Sequence, residues 1–218
     1  MPDHLEDDGN WCQVLRPEAA TGPLGAAALF LDRDGVVVEE VGYLHRPDDV
    51  RLVPGAAAVI AAANRADLPV VVVTNQAGIG RGLYGWADFA ATQERIIAEL
   101  VRAGAVLDMV LACPYHPEAR PPYRHPDHPC RKPRPGMLRR AAARLGLDLA
   151  GSWIIGDHAS DLEAGRAAGL AGGLHVLTGY GAAERDAAAG LATARFRIRL
   201  GESIADALDL PLPLQPSP

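Results

Sequence analysis

Apolar residues in this chain come in short bursts, and the bursts alternate between two periodicities. ALFLD (28–32) and LPVVVVTN (68–75) are continuous apolar runs, the second rich in β-branched residues, as expected of strands buried on both faces. Between them GAAAVIAAANRA (55–66) has a helical composition and follows Pro54, a start signal. WADFAATQERIIAELVRAG (86–104) predicts an amphipathic helix that stops at glycine, and VLDMVLAC (106–113) another strand. PGMLRRAAARLG (135–146) opens with proline and closes with glycine, the asymmetry of a helix. SWIIGD (152–157) reads as a strand, SDLEAGRAAG (160–169) as a helix capped by Ser160, and GGLHVLTG (172–179) as a strand. RFRIRLGESIADALDL (195–210) predicts an edge strand and a final helix. This alternation predicts an α/β fold: a Rossmann-like parallel sheet with helices on both faces. Residues 1–25 read as an irregular polar leader, 26–210 as a single domain and 211–218 as a flexible tail.

Charge and composition narrow the partners. With net charge -6, the chain as a whole is no polyanion binder. Its dense basic clusters are Arg131-Lys132-x-Arg134 and Arg195-x-Arg197-x-Arg199, and the second alternates like a solvated strand face, so no nucleic-acid partner is expected. No run approaches the roughly 18 consecutive apolar residues of a membrane span. The acidic start MPDHLEDDGN is unlike a signal peptide, so the expected location is the cytoplasm. Three cysteines, Cys12, Cys113 and Cys130, are an odd number and argue against a disulfide framework; Cys12 is expected to be a free thiol.

In a parallel sheet, ligands bind beyond the carboxyl ends of the strands, and chemistry-bearing residues gather there. The first predicted strand ends in Asp32-Arg33-Asp34-Gly35, the second in Thr74-Asn75 and the fourth in Gly156-Asp157, with Asp161 one helical turn on. A lone Asp-x-Asp is a common turn, but three polar strand ends in one sheet point to a site. Asp32 and Asp34, two apart on an extended chain, face the same way, and Asp157 would come alongside. Three carboxylates repel unless a cation sits among them, and hard oxygen ligands with room for water suit Mg²⁺. A carboxylate nucleophile suits phosphoryl transfer through an aspartyl-phosphate, and Thr74, Asn75 and Lys132 offer donors and charge for the phosphoryl oxygens.

FLDRDGVV, VVTNQAGIGRG, CRKPRPGM and IIGDHASD, in that order, resemble the four signature segments of the haloacid dehalogenase superfamily of phosphatases. DRDG, TNQxGIxRG and CRKPxPGM are similar to the branch holding histidinol-phosphate phosphatase and D-glycero-D-manno-heptose 1,7-bisphosphate phosphatase, as is VGYLHRPDDVRLVPG (41–55). The resemblance implies that Asp32 attacks phosphorus and that Asp34 protonates the leaving alcohol and then activates water. It implies that Asp32, the Asp34 carbonyl and Asp157 hold Mg²⁺, and that Thr74 and Lys132 bind the phosphoryl group. His158 departs from the Arg or Lys common after the metal-binding aspartate and leaves the substrate open. The spacings Asp34 to Thr74 and Thr74 to Lys132 leave no room for a large cap domain. A free-standing chain with a GYLH segment leans toward the sugar bisphosphate, losing its 7-phosphate, over histidinol phosphate; a non-catalytic protein keeping the fold is the other class. Arg81 and Arg131 are candidates for the second phosphate, Arg81 being equally readable as a solvated loop residue. A monomer is expected.

CPYHPEARPPYRHPDHPCRKP (113–133) fits neither element type. Cys113-x-x-His116 followed by His128-x-Cys130 offers four ligands for a closed structural Zn²⁺ site, which would staple a long loop. Family members with the metal tend to show Cys-x-His and then Cys-x-Cys, so the set here is rearranged, with His125 as a spare. The alternative is a proline-stiffened loop with solvated histidines.

Overall fold

In the computed structural model, which describes residues 4–17, 25–212 and 214, seven strands form one sheet in the order β1-β4-β3-β2-β5-β6-β7. The strands are β1 (Trp11–Val14), β2 (Leu29–Leu31), β3 (Val70–Asn75), β4 (Met109–Cys113), β5 (Trp153–Gly156), β6 (Gly172–His175) and β7 (Arg197–Leu200). All neighbours are parallel except β1, which runs antiparallel to β4 with Trp11 opposite Ala112 and Cys12 opposite Leu111. Residues 11–14 are therefore an edge strand, not part of an irregular leader. Four residues in a polar stretch give no alternation long enough to announce a strand.

The helices are α1 (Ala56–Arg65), α2 (Ala77–Arg81), α3 (Trp86–Arg102), α4 (Gly136–Leu145), α5 (Ala159–Ala168) and α6 (Gly181–Ala189). They divide between the faces as the strands' all-apolar composition requires. Leu29, Leu31, Val70 and Val72 pack with α1 and α3, whereas Phe30, Val71 and Val73 pack with α4 and α5. The short α2 and the alanine-rich α6 carry too little apolar periodicity to be predicted. The final helix is a 3-10 helix, Ile204–Asp209. Ser160 is not the cap of α5: His158 holds that position, and the Asp161 carboxylate accepts the His158 N–H at 3.1 Å. The tail expected at 211–218 lies mostly outside the described residues.

The strand order reverses between β2 and β5, which lie side by side and parallel. The chain steps outward from β2 through β3 to β4, then from β5 through β6 to β7. The crevice at that switch opens above the carboxyl end of β2, where Asp32 follows directly. Between Asp34 and Thr74 the described elements are the Pro47–Asp49 3-10 turn and α1, so no cap domain intervenes. Phe30 is fully buried on β2, two residues before Asp32. Phe30→Ala should cost about 3–5 kcal/mol of stability, read as a lower urea midpoint; an unchanged midpoint would contradict this account of the core.

Candidate active site

Polar groups at the ends of β2 and β3 converge on a cavity of about 500 Å³ lined by Asp32, Asp34, Thr74, Arg131, Lys132 and His158 among others. Its floor is charged and buried. Lys132 is 3% exposed, and its Nζ lies 2.6 Å from Asp32 Oδ1, 2.7 Å from Asp161 Oδ1 and 2.7 Å from the Val73 carbonyl oxygen. Burial alone would pull the ammonium down, but Asp161 and Asp32 outweigh it and hold its pKa above the ordinary lysine value. Lys132 is thus a permanent cation beside the candidate nucleophile.

The loop delivers Lys132 through its backbone. The Asn75 amide donates to the Lys132 carbonyl at 3.0 Å and accepts the Lys132 N–H at 3.1 Å. Asn75, on the cavity wall, thereby fastens the loop to the end of β3. Thr74 remains on the cavity wall, its hydroxyl accepting from Gln76 Nε2 at 2.8 Å.

Asp34 is held by a different set of partners, Arg33 and Gln76. Arg33, fully buried, donates through Nε and one terminal nitrogen to the two Asp34 oxygens at 3.0 and 2.9 Å and lies over the Phe89 ring at 5.3 Å. Gln76 Nε2 adds a bond to Asp34 at 3.1 Å, and Gln76 Oε1 accepts from Arg33 and Tyr84. Arg33, Gln76 and Asp161 were not assigned site roles from the sequence. Arg33 and Gln76 sit inside the signature segments, and a buried arginine beside Asp34 is the signal that could have found the first.

Asp32, Asp157 and Asp161 each place an oxygen within 4.8 Å of the others, the one group of three or more such ligands among the described residues. Asp157 Oδ2 accepts the Tyr180 N–H at 2.8 Å, while its Oδ1 is buried without a partner. Gly35 (φ 81°) and Gly179 (φ 61°) pack against this carboxylate so closely that a Cβ at either would strike Oδ2. Burial first, then the neighbouring Asp32 and Asp161 charges, pushes Asp157 up to about 8. Burial likewise raises Asp32, with Lys132 opposing. An orphaned oxygen among crowded carboxylates fits a divalent cation.

The remaining candidates separate. Arg131 lines the cavity, with one guanidinium nitrogen 3.0 Å from the Tyr115 carbonyl. Arg81 does not: it bonds the Tyr43 hydroxyl at 2.8 Å and Glu118 at 3.0 Å, and approaches His116 Nε2 at 3.3 Å. His116 is further engaged by the Glu118 N–H at its Nδ1, 3.0 Å away. Cys113 Sγ lies 3.8 Å from His128 Nδ1, which also receives the Cys130 N–H at 3.2 Å. The four expected zinc donors are therefore not brought together, because both His116 nitrogens face other groups. Cys12, remote in sequence, packs against the same core cluster as Cys113 and Cys130.

The HAD-hydrolase-like family profile matches residues 129–202. The chain is 48% identical over 172 residues to a D-glycero-beta-D-manno-heptose-1,7-bisphosphate 7-phosphatase of Mesorhizobium japonicum, covering 79% of this chain and 78% of that protein. Among solved structures, a HAD-like phosphatase of Mesorhizobium loti superposes with TM-score 0.83 at 41% identity, covering 95% of this chain and 94% of that one. The D,D-heptose 1,7-bisphosphate phosphatase of Bordetella bronchiseptica, complexed with magnesium and phosphate, gives 0.72 at 35% identity over 84% of this chain and 96% of that one.

The raised Asp157 sets a pH dependence. A carboxyl whose folded pKa lies above 3.8 favours folding while protonated, so that contribution is lost as pH rises from 3.8 toward about 8. In metal-free protein this should lower the melting temperature between about pH 5 and about pH 8, and added Mg²⁺ should raise it more at the higher pH. Equal Mg²⁺ stabilisation at both pH values would count against the carboxylate cluster as the cation site.

Proposed function

The chain belongs to the haloacid dehalogenase superfamily of phosphatases, in the heptose-1,7-bisphosphate phosphatase branch, and we propose that it removes the 7-phosphate of D-glycero-D-manno-heptose 1,7-bisphosphate. The carrying observation is Asp32 held by Lys132 on the floor of an open cavity, with the cation-ready oxygens of Asp157 beside it. Residues 26–210 together with the edge strand β1 form the catalytic domain in this reading, of a monomeric, cytoplasmic enzyme. Among the described residues no helix is long and apolar enough to cross a membrane.

Asp32 Oδ1 is engaged by Lys132, which leaves the second oxygen to attack phosphorus. As the new O–P bond forms, the bond from phosphorus to the sugar oxygen breaks, and Asp34 gives that oxygen its proton. Asp34 then takes a proton from water, whose oxygen attacks the phosphorus of the aspartyl-phosphate and frees inorganic phosphate and Asp32. Lys132 and the Thr74 hydroxyl bind the phosphoryl oxygens, and the Arg33 fork with Gln76 keeps Asp34 aimed at the leaving group. Asp32, the Asp34 carbonyl and Asp157 would hold Mg²⁺, which supplies further neutralisation of the phosphoryl charge. Arg131 is placed for the distal phosphate; the ties of Arg81 favour a structural part for it.

Phosphate release should require Mg²⁺ and proceed faster from the heptose bisphosphate than from histidinol phosphate. Asp32→Asn should cut release by roughly a thousandfold or more. Release at the parent's rate would refute the nucleophile, and a preference for histidinol phosphate would refute the substrate.

The donor geometry also favours a 113–133 loop held without zinc. Protein prepared without added zinc should carry less than about 0.1 mole per mole by metal analysis. One zinc per chain would restore the ligand set Cys113, His116, His128 and Cys130.

A further inference from the structure

The 114–135 loop carries Arg131 and Lys132 yet contains no helix or strand, and its expected staple does not assemble. Something else must hold it, since a loop of this length left to itself would spread its cations over many positions. Besides Asn75, Arg81 and Trp86, residues of the N-terminal segment reach it.

Glu6 pairs with Arg140 and Arg144 of α4, each at 2.5 Å, and Asp8 pairs with Arg140 as well. The helix they grip begins four residues after Lys132. The Asp8 carbonyl accepts the Tyr115 hydroxyl at 2.7 Å. Gly9 (φ 76°) lies so close that a Cβ there would come within 2.9 Å of the Tyr115 hydroxyl oxygen and 3.2 Å of the Tyr123 ring. Trp11 stacks on Trp86 at 5.7 Å, and the Trp86 indole N–H donates to the Tyr123 hydroxyl at 3.0 Å. Ion pairs, a backbone bond and aromatic packing thus bind residues 6–11 to both arms of the loop.

Tyr115 relays that grip inward. Its hydroxyl meets the N-terminal segment, its ring stacks on His128 at 3.8 Å and 7°, and its carbonyl accepts from Arg131 at 3.0 Å. His128 in turn receives the Cys130 N–H, one residue before Arg131.

We propose that residues 6–11 are a built-in brace that positions Arg131 for the substrate through Tyr115, making Glu6, Asp8, Tyr115 and Arg140 positioning residues of the reaction. This rests on the reading of Arg131 as the ligand of the distal phosphate. Lys132 is fastened separately by Asn75, so loosening the brace should alter recognition of the bisphosphate and spare attack on phosphorus.

Tyr115→Phe keeps the ring stack and removes the one hydroxyl bond to the brace; Arg140→Met releases Glu6 and Asp8, and Arg140→Lys keeps the charge. Tyr115→Phe and Arg140→Met should each raise KM for the heptose bisphosphate about fivefold with kcat within about twofold, the effect of one or two lost hydrogen bonds. Arg140→Lys should stay near the parent. Turnover of p-nitrophenyl phosphate, which has no second phosphate, should not change. A merely structural role would lower both substrates together with the melting temperature, and that outcome, or an unchanged KM, would overturn the proposal. Labelling of Arg131 by phenylglyoxal, followed by peptide mass, reads the brace without any substrate. It should quicken severalfold in both variants, and equal labelling rates would defeat the brace even if the proposed substrate were wrong.

Discussion

One ammonium, Lys132 Nζ, lies within 2.7 Å of two buried carboxylates, and the rest of the site is arranged to keep it there. Three aspartates desolvated together would shed their charge by protonation. A single lysine among them pairs with Asp32 and Asp161 but leaves Asp157 raised and its Oδ1 buried without a donor. The arrangement is therefore electrostatically unfinished in the direction that a divalent cation completes. It also places the burden of preorganisation on the loop that carries Lys132, since a wandering ammonium would have to be reordered at every turnover.

That burden explains features that look unrelated along the chain. Asn75 holds the Lys132 backbone with both its amide nitrogen and its amide oxygen. Arg33 is buried against Phe89 and forked onto Asp34, so Asp32 and Asp34 each have a cation of their own. The edge strand β1 brings the acidic N-terminal residues against α4 and Tyr115, adding a second fastening where the metal donors fail to meet.

The central strands were legible because burial on both faces demands long apolar runs, and the carboxylates because they follow those runs directly. What the residues could not show was which partner each polar side chain would choose. Arg81 and His116 looked available as phosphate and zinc ligands, but they meet each other, Tyr43 and Glu118 first. Gln76 stood inside a quoted motif, yet its part in joining Asp34, Thr74 and Tyr84 depends on β3 lying beside β2. Short elements failed for a different reason: β1 and α2 span four and five residues, too few for a periodicity to emerge.

In the proposed reaction Asp32 is the group that becomes phosphorylated. Turnover of the heptose bisphosphate with Mg²⁺, quenched in borohydride, reduces an acyl phosphate to an alcohol, so the modified aspartate becomes homoserine and is located by peptide mass spectrometry. The account predicts homoserine at position 32, dependent on both substrate and Mg²⁺. Reduction at Asp34, Asp157 or Asp161, or an unmodified Asp32 under steady turnover, would contradict it.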